Sequence, residues 1–205
     1  MPAAIKITDM DEFLSADYWN ERYKKDETRW DIGFASTPLK AYIDQLERKD
    51  ISILIPGGGN SYEAAYLLEN GFTNITVIDI APIVTERLTR QFKQYGNAIT
   101  IICGDFFELS GAYDLILEQT FFCAIDPMLR KKYTEKMYQL LNLGGKLVGL
   151  LFNRSFEDNP PFGGNEKEYR DLFSPYFHIH TMEPAYNSIP QRAGAELFIV
   201  LQKNV

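Results

Sequence analysis

The sequence predicts a doubly wound α/β fold around a mostly parallel sheet of seven strands, and three observations carry that expectation. Strand-like and helix-like segments alternate along the chain, the pattern of helices crossing over a sheet. Several strand-like runs are apolar throughout, as in strands covered on both faces. The first such run leads through three consecutive glycines into a helix-like segment, in the stretch ILIPGGGNSYEAAYLLENG from Ile53 to Gly71. A chain of 205 residues buries on the order of 70% of its unfolded surface and is short for two ordinary domains, so residues 1–205 are expected to form one.

Each element has its own signal. Residues 9–24 and 38–48 read as helices flanking the polar turn KKDETRWDIG. The first strand is expected at 51–55 and a helix from about Ser61. NITVIDI, 74–80, forms the second strand, and Pro82 opens the next helix, where its missing N–H has no partner to lose. AITIIC (98–103) and YDLILE (113–118) are the third and fourth strands. Within 127–142, Tyr133, Met137, Leu140 and Leu141 recur at i, i+4, i+7 and i+8, one apolar helical face, before NLGG stops the helix. KLVGLLF (146–152), a helix near 165–174, and strands at about 176–182 and 195–202 complete the set. The chain carries no internal repeat, low-complexity tract or linker.

Composition narrows the partners. The 45% hydrophobic and 24% charged content is that of a globular protein, and 14 Phe, 12 Tyr and 2 Trp leave rings to line a pocket. A net charge of −7 argues against nucleic acid and anionic membranes, because phosphate binding is driven by clustered Lys and Arg, and the only basic cluster is the short RKK at 130–132. No apolar run reaches the roughly 18 residues that cross a bilayer, and MPAAIKITDMDEF lacks a signal peptide's apolar stretch. A cytoplasmic protein with a small-molecule partner is expected. Cys103 and Cys123 form no CxxC pair and each follows an apolar run, so both are expected as buried free thiols. His178 and His180 share one face of a strand without a third ligand, so no metal site is expected.

The glycines separate the nucleotide chemistries. A Walker loop needs Lys followed by Ser or Thr after the last glycine, and none follows here. The dinucleotide fingerprint G-x-G-x-x-G, started at Gly57, places Gly59 correctly but meets Tyr62 at its third glycine. What remains is a turn, Gly57, Gly58 and Gly59, where a ligand can approach bare backbone, with Asp79 at the end of the second strand to accept two ribose hydroxyls. Asp105, after the third strand, can accept from an adenine amino group with Phe106 beside the ring face, and a second glycine pair stands at 144–145.

In this order the features resemble the class I S-adenosylmethionine-dependent methyltransferases, whose Rossmann-like fold is expected. YWNERYKKDETRWDIGFASTPL, FFCAIDPMLRKKYTEKMYQLL, NPPFGG and NSIPQRAGAELF are similar to the thiopurine methyltransferase superfamily, and within it to the halide/thiol methyltransferase branch, over about residues 17–201. The resemblance implies S-adenosyl-L-methionine as cofactor and a helical N-terminal lid (1–48) on a core (49–205). It implies that Trp19, Tyr23 and Trp30 close over the cofactor, that Gly57 meets its amino-acid end, and that Arg130 helps hold the site. Plant sequences of that branch usually carry tryptophan in place of Tyr23 and tyrosine in place of Phe162.

NPPF at 159–162 mimics the [DN]PP[YF] motif of amino-group methyltransferases. That motif follows a fourth strand, whereas this one follows the fifth, so it reads as an extended lid placing Phe162 over the pocket. The methyl of a sulfonium is already activated, so the protein has to align and exclude water. No residue is assigned as acid or base. Trp30, Phe34, Phe122 and Phe162 form the expected aromatic wall for a thiol, hydrosulfide or halide. A nicotinamide-dependent reductase and a non-catalytic cofactor-binding protein are the alternatives; the first lacks a Tyr-x-x-x-Lys pair, since Lys136 stands at the wrong offset from Tyr133.

Overall fold

The computed structural model describes residues 13–156 and 160–204. Among these residues seven strands form one sheet: β1 Ile53–Pro56, β2 Ile75–Asp79, β3 Ile99–Cys103, β4 Tyr113–Gln119, β5 Leu141–Phe152, β6 Phe177–Pro184 and β7 Glu196–Lys203. Their order is β3-β2-β1-β4-β5-β7-β6. The first five pair in parallel, and β7 lies antiparallel between β5 and β6. The direction of winding reverses between β1 and β4, and doubly wound sheets bind ligands at the carboxyl edge of that switch point.

Among the described residues six helices flank the sheet: α1 Ala16–Lys24, α2 Thr37–Ile43, α3 Tyr62–Glu69, α4 Pro82–Gln91, α5 Arg130–Leu140 and α6 Glu166–Phe173. Side chains of a strand point alternately to its two faces, and the core divides accordingly. Leu115 and Leu117 of β4 join Ile53, Ile55, Val77 and Val148 against Leu39, Leu67, Val84 and Leu88 of α2, α3 and α4. Ile116 between them joins Leu147, Leu151 and Ile199 against Tyr133, Met137, Tyr169 and Phe173 of α5 and α6. Local chemistry starts the helices. Ser15 Oγ accepts from the Tyr18 N–H at 3.2 Å, Asn165 Oδ1 accepts from the Glu168 N–H at 2.9 Å, and Pro38 and Pro82 occupy first-turn positions.

The structure departs from expectation in four places. The first described helix begins at Ala16, after the Ser15 cap, while residues 9–12 and Asn159 of NPPF lie outside the described residues. Helix α2 stops at Ile43 rather than 48. Strand β5 starts at Leu141, immediately after α5, so NLGG is not a helix stop but part of the strand. Gly144 there takes φ 74°, open to glycine without strain, and a Cβ on Gly145 would stand 2.9 Å from the Asn142 carbonyl oxygen. The pair accommodates the irregularity where β4 and β5 shift register between Tyr113 and Leu115. Finally, Cys103 is exposed rather than buried, because β3 is the sheet edge; Cys123 is buried. Among the described residues no helix is long and apolar enough to cross a membrane.

Candidate functional site

The carboxyl edge of β1 and β2 carries the glycine turn. Gly57 and Gly59 both adopt left-handed backbone, φ 59° and 52°, and Ser61 does so at φ 53°. At Gly58 the constraint is space, since a Cβ would lie 2.2 Å from Val77 Cγ1. The Gly59 N–H donates to Asp79 Oδ2 at 2.9 Å, and the Ala81 N–H donates to Oδ1 at 2.9 Å. Asp79 is 7% exposed. Burial pushes its carboxyl above the usual carboxylate range, opposed by the two amides and the Arg87 charge. Each carboxylate oxygen has two lone pairs, so each keeps one for a further donor, and a ribose diol supplies two. The bare backbone and this half-satisfied carboxylate fit the nucleoside cofactor that the sequence implies.

Three rings form a cluster that meets the turn through Tyr23. Trp19 and Tyr23 meet Trp30 edge to face, with centroids 5.5 and 5.7 Å away. The Tyr23 hydroxyl comes within 2.9 Å of where a Gly59 Cβ would stand. Burial first, and the Asp79 charge second, push the Tyr23 phenol well above its ordinary value.

Hydrogen bonds fix these rings from several sides. Asp31 accepts from the Asn60 amide and, at 3.2 Å, from the Tyr62 hydroxyl. Tyr62 thus uses the third-glycine position of the dinucleotide fingerprint as an anchor. Asn20 Oδ1 accepts from the Ile83 N–H at 3.1 Å, and the Ser36 N–H donates to buried Glu63 at 2.9 Å. Arg192 Nη2 donates to the Trp30 carbonyl at 2.8 Å while its Nη1 pairs with buried Glu196 at 3.3 Å.

The remaining expected residues are dispersed. Asp105, exposed after β3, accepts from the Phe107 N–H at 2.8 Å and so starts a short turn of 3₁₀-helix. Phe106 is 4% exposed, its ring 5.1 Å from Phe121 in the core. Phe34 is half exposed. Phe122 is 1% exposed, packed on Tyr133 at 5.0 Å and lying 4.7 Å beneath the Arg130 guanidinium. Arg130 donates to Glu168 at 2.6 Å and to the Gly163 carbonyl at 2.7 Å, tying the start of α5 to α6 and the loop after β5. Phe162 lines a cleft of about 590 Å³ with Pro127, Arg154, Phe156 and Glu168, and its N–H donates to the Cys123 carbonyl at 2.7 Å.

Trp19, Tyr23, Trp30, Gly57, Gly58, Gly59 and Asp79 therefore meet in one place. Phe106 and Phe122 lie in the core, and Phe162 faces a cleft beside the loop after β5. The Arg192–Glu196 pair escaped the sequence reading, although a carboxylate opening the otherwise apolar run ELFIVL was its visible signal.

A doubly wound sheet with a glycine turn after β1 and a buried acid ending β2 places the chain among the S-adenosylmethionine-dependent methyltransferases, and it is such an enzyme. The family model described as thiopurine S-methyltransferase matches residues 14–199, and the chain belongs to that family. It is 29% identical over 164 residues to "Probable thiol methyltransferase 2" of Arabidopsis thaliana, covering 77% of this chain and 71% of the relative. It is 26% identical to "Thiocyanate methyltransferase 1" of Brassica oleracea, covering 87% and 81%. Among solved structures, the 1,6-didemethyltoxoflavin-N1-methyltransferase of Burkholderia thailandensis, with bound 1,6-didemethyltoxoflavin and S-adenosylhomocysteine, superposes with a TM-score of 0.77. It is 18% identical, covers 100% of this chain and 93% of its own, and supports the fold.

Proposed function

We propose that this methyltransferase acts on a small soft nucleophile, a thiol, hydrosulfide or halide, by direct in-line transfer, in one domain whose segment 1–48 closes as a lid on the core 49–205. The observation that carries the reading is the edge-to-face cluster of Trp19, Tyr23 and Trp30, which meets Gly59 and Asp79 through Tyr23. Such a ring wall excludes water and suits an acceptor that sheds its hydration at small cost. The names of the thiol and thiocyanate relatives favour the same acceptor class.

The cofactor supplies a methyl group activated by its sulfonium. The chain's own residues bind and orient. Gly57, Gly58 and Gly59 present backbone to the amino-acid end, Asp79 takes the ribose hydroxyls, and Asp105 takes the adenine amino group with Phe106 behind it. Trp19, Tyr23 and Trp30 present ring faces that favour a cation. Trp30, Phe34 and Phe162 shape the acceptor's approach, and Phe122 with Arg130 props the wall from beneath. No proton has to move for an anionic acceptor, so no acid or base is assigned.

Incubation with labelled S-adenosylmethionine and a panel of iodide, chloride, thiocyanate, hydrosulfide, organic thiols and amines tests the reading. Label should pass to the sulfur nucleophiles or the larger halide and not to amines; transfer to amines alone overturns the acceptor class.

A further inference from the structure

We infer that Glu118 is a positioning residue for methyl transfer: its carboxylate holds the turn 120–123, which joins the glycine turn to the Phe162 loop, and Tyr133 holds the carboxylate. Glu118 lies in β4 at 0% exposure. One oxygen, Oε1, accepts from the N–H of Phe121 at 2.8 Å and of Phe122 at 2.9 Å. The other accepts from the Tyr133 hydroxyl at 2.6 Å, and Tyr133 is itself fully buried on α5.

The turn needs such a hold. Thr120 sits at φ 58°, a left-handed conformation that is strained for a β-branched residue. The sheet also makes room for the acid. Gly149 of β5 stands opposite Glu118, and a Cβ there would fall 2.4 Å from Glu118 Cβ and 2.6 Å from its carbonyl oxygen.

The turn reaches both sides of the reaction. The Phe121 ring packs against Gly57, within 2.3 Å of where a Cβ would stand, so it abuts the cofactor side. The Cys123 carbonyl accepts from the Phe162 N–H at 2.7 Å, so it also fixes the acceptor side. One carboxylate therefore sets the spacing between the two halves of the site.

The groups facing Glu118 are Tyr133 from α5, the Cys123 thiol and the two amides of the turn, with Gly149 on β5; among the described residues no Lys or Arg pairs with it. Burial without a cation pushes its carboxyl up to about 7, against the opposing effect of Tyr133 and the amides. Above that pH all three donors meet an ionised acceptor and make charge-assisted bonds. Below it the protonated oxygen must turn its own hydrogen toward Tyr133, and the bonds to the amides weaken.

The inference rests on the placing of Phe162 beside the acceptor proposed above, and one arm of its test rests on the soft-nucleophile reading. In proton–nitrogen NMR of the parent enzyme, the amides of Phe121 and Phe122 should titrate together with a midpoint near 7, and in Glu118→Gln they should not. Amides that stay constant between about pH 5.5 and 8.5 in the parent overturn the inference. With iodide, which does not titrate, kcat of the parent should fall about 5-fold as pH drops from about 8.5 to 5.5, the scale of charge-assisted bonds becoming neutral ones. Glu118→Gln, whose amide still joins the turn to Tyr133, should retain activity with a flat profile, and Glu118→Ala should lose more. Identical pH profiles in parent and Glu118→Gln also overturn it. Should iodide not be methylated, the failure falls on the soft-nucleophile reading, and the amide titration still decides the role of Glu118.

Discussion

Asp79 shows how much one side chain can hold at once. Its two oxygens already fix Gly59 and Ala81 and retain a lone pair each for the ribose. Asp79→Ala is expected to cost about 2–4 kcal/mol of S-adenosylhomocysteine binding, since two charge-assisted bonds are lost together; calorimetry on the folded variant measures this directly. Phe162 concerns the acceptor. Phenylalanine offers an anion no hydrogen-bond donor, so a small, strongly hydrated anion recovers less of its desolvation cost than a large polarisable one. Phe162→Tyr should therefore raise the chloride-to-iodide ratio of kcat/KM without changing cofactor affinity, as headspace analysis of the methyl halides would show; an unchanged ratio removes Phe162 from the acceptor wall. The sequence revealed Asp79 because an acid ending an apolar strand is a local pattern. It did not reveal Arg192, whose partner is the carbonyl of Trp30, a backbone group 162 positions away that only the fold brings near. Nor did it separate Cys103 from Cys123: both follow apolar runs, and only strand order decides which run is the edge.

Helix α1 and the loop to Phe34 are joined to the sheet domain by polar anchors and by the half-buried rings of Trp19 and Tyr23, and α1 itself contains no fully buried residue. Such a segment should open at lower cost than the strands beneath it. Hydrogen exchange across 17–34 is expected to slow when S-adenosylhomocysteine is added, and Tyr62→Phe, which removes one donor to Asp31, should speed exchange in the free enzyme. Equal exchange with and without ligand would mean that the segment is permanent packing. Strand β5 marks the limit of element-level reading. Periodicity ended the helix correctly near Leu140, but NLGG reads as a stop because glycines end helices more often than they bend strands. The steric need for Gly145 comes from Asn142 and Tyr113 carbonyl groups that meet it only once β4 and β5 are paired.

At the scale of the whole molecule, Glu63, Asp79 and Glu118 share a property: burial pushes each carboxyl above its ordinary value. The native state then binds more protons than the unfolded chain between the ordinary and raised values. Their contribution is fully present below the ordinary carboxylate range and is lost as pH rises through the raised values, which for Glu118 means about 7. The net charge of −7 acts in the same direction, through self-repulsion. Tm is expected to fall between about pH 5 and 8, and Glu118→Gln should flatten that fall; thermal unfolding across the range checks both, and a Tm that rises with pH contradicts the assignment. Alternation of segments made the sheet class and strand count legible, because local periodicity records which faces are covered. The final order was not, since nothing local says that β7 enters between β5 and β6. That insertion also sets a timetable for synthesis. A ribosome releases β6 well before β7, and β6 has no other neighbour in the sheet, so a nascent chain that has emerged only to residue 195 leaves the β5 edge bare and β6 unattached. Stalled chains of that length should be captured by chaperones and cut by protease near 177–184, whereas chains extended through residue 203 should resist.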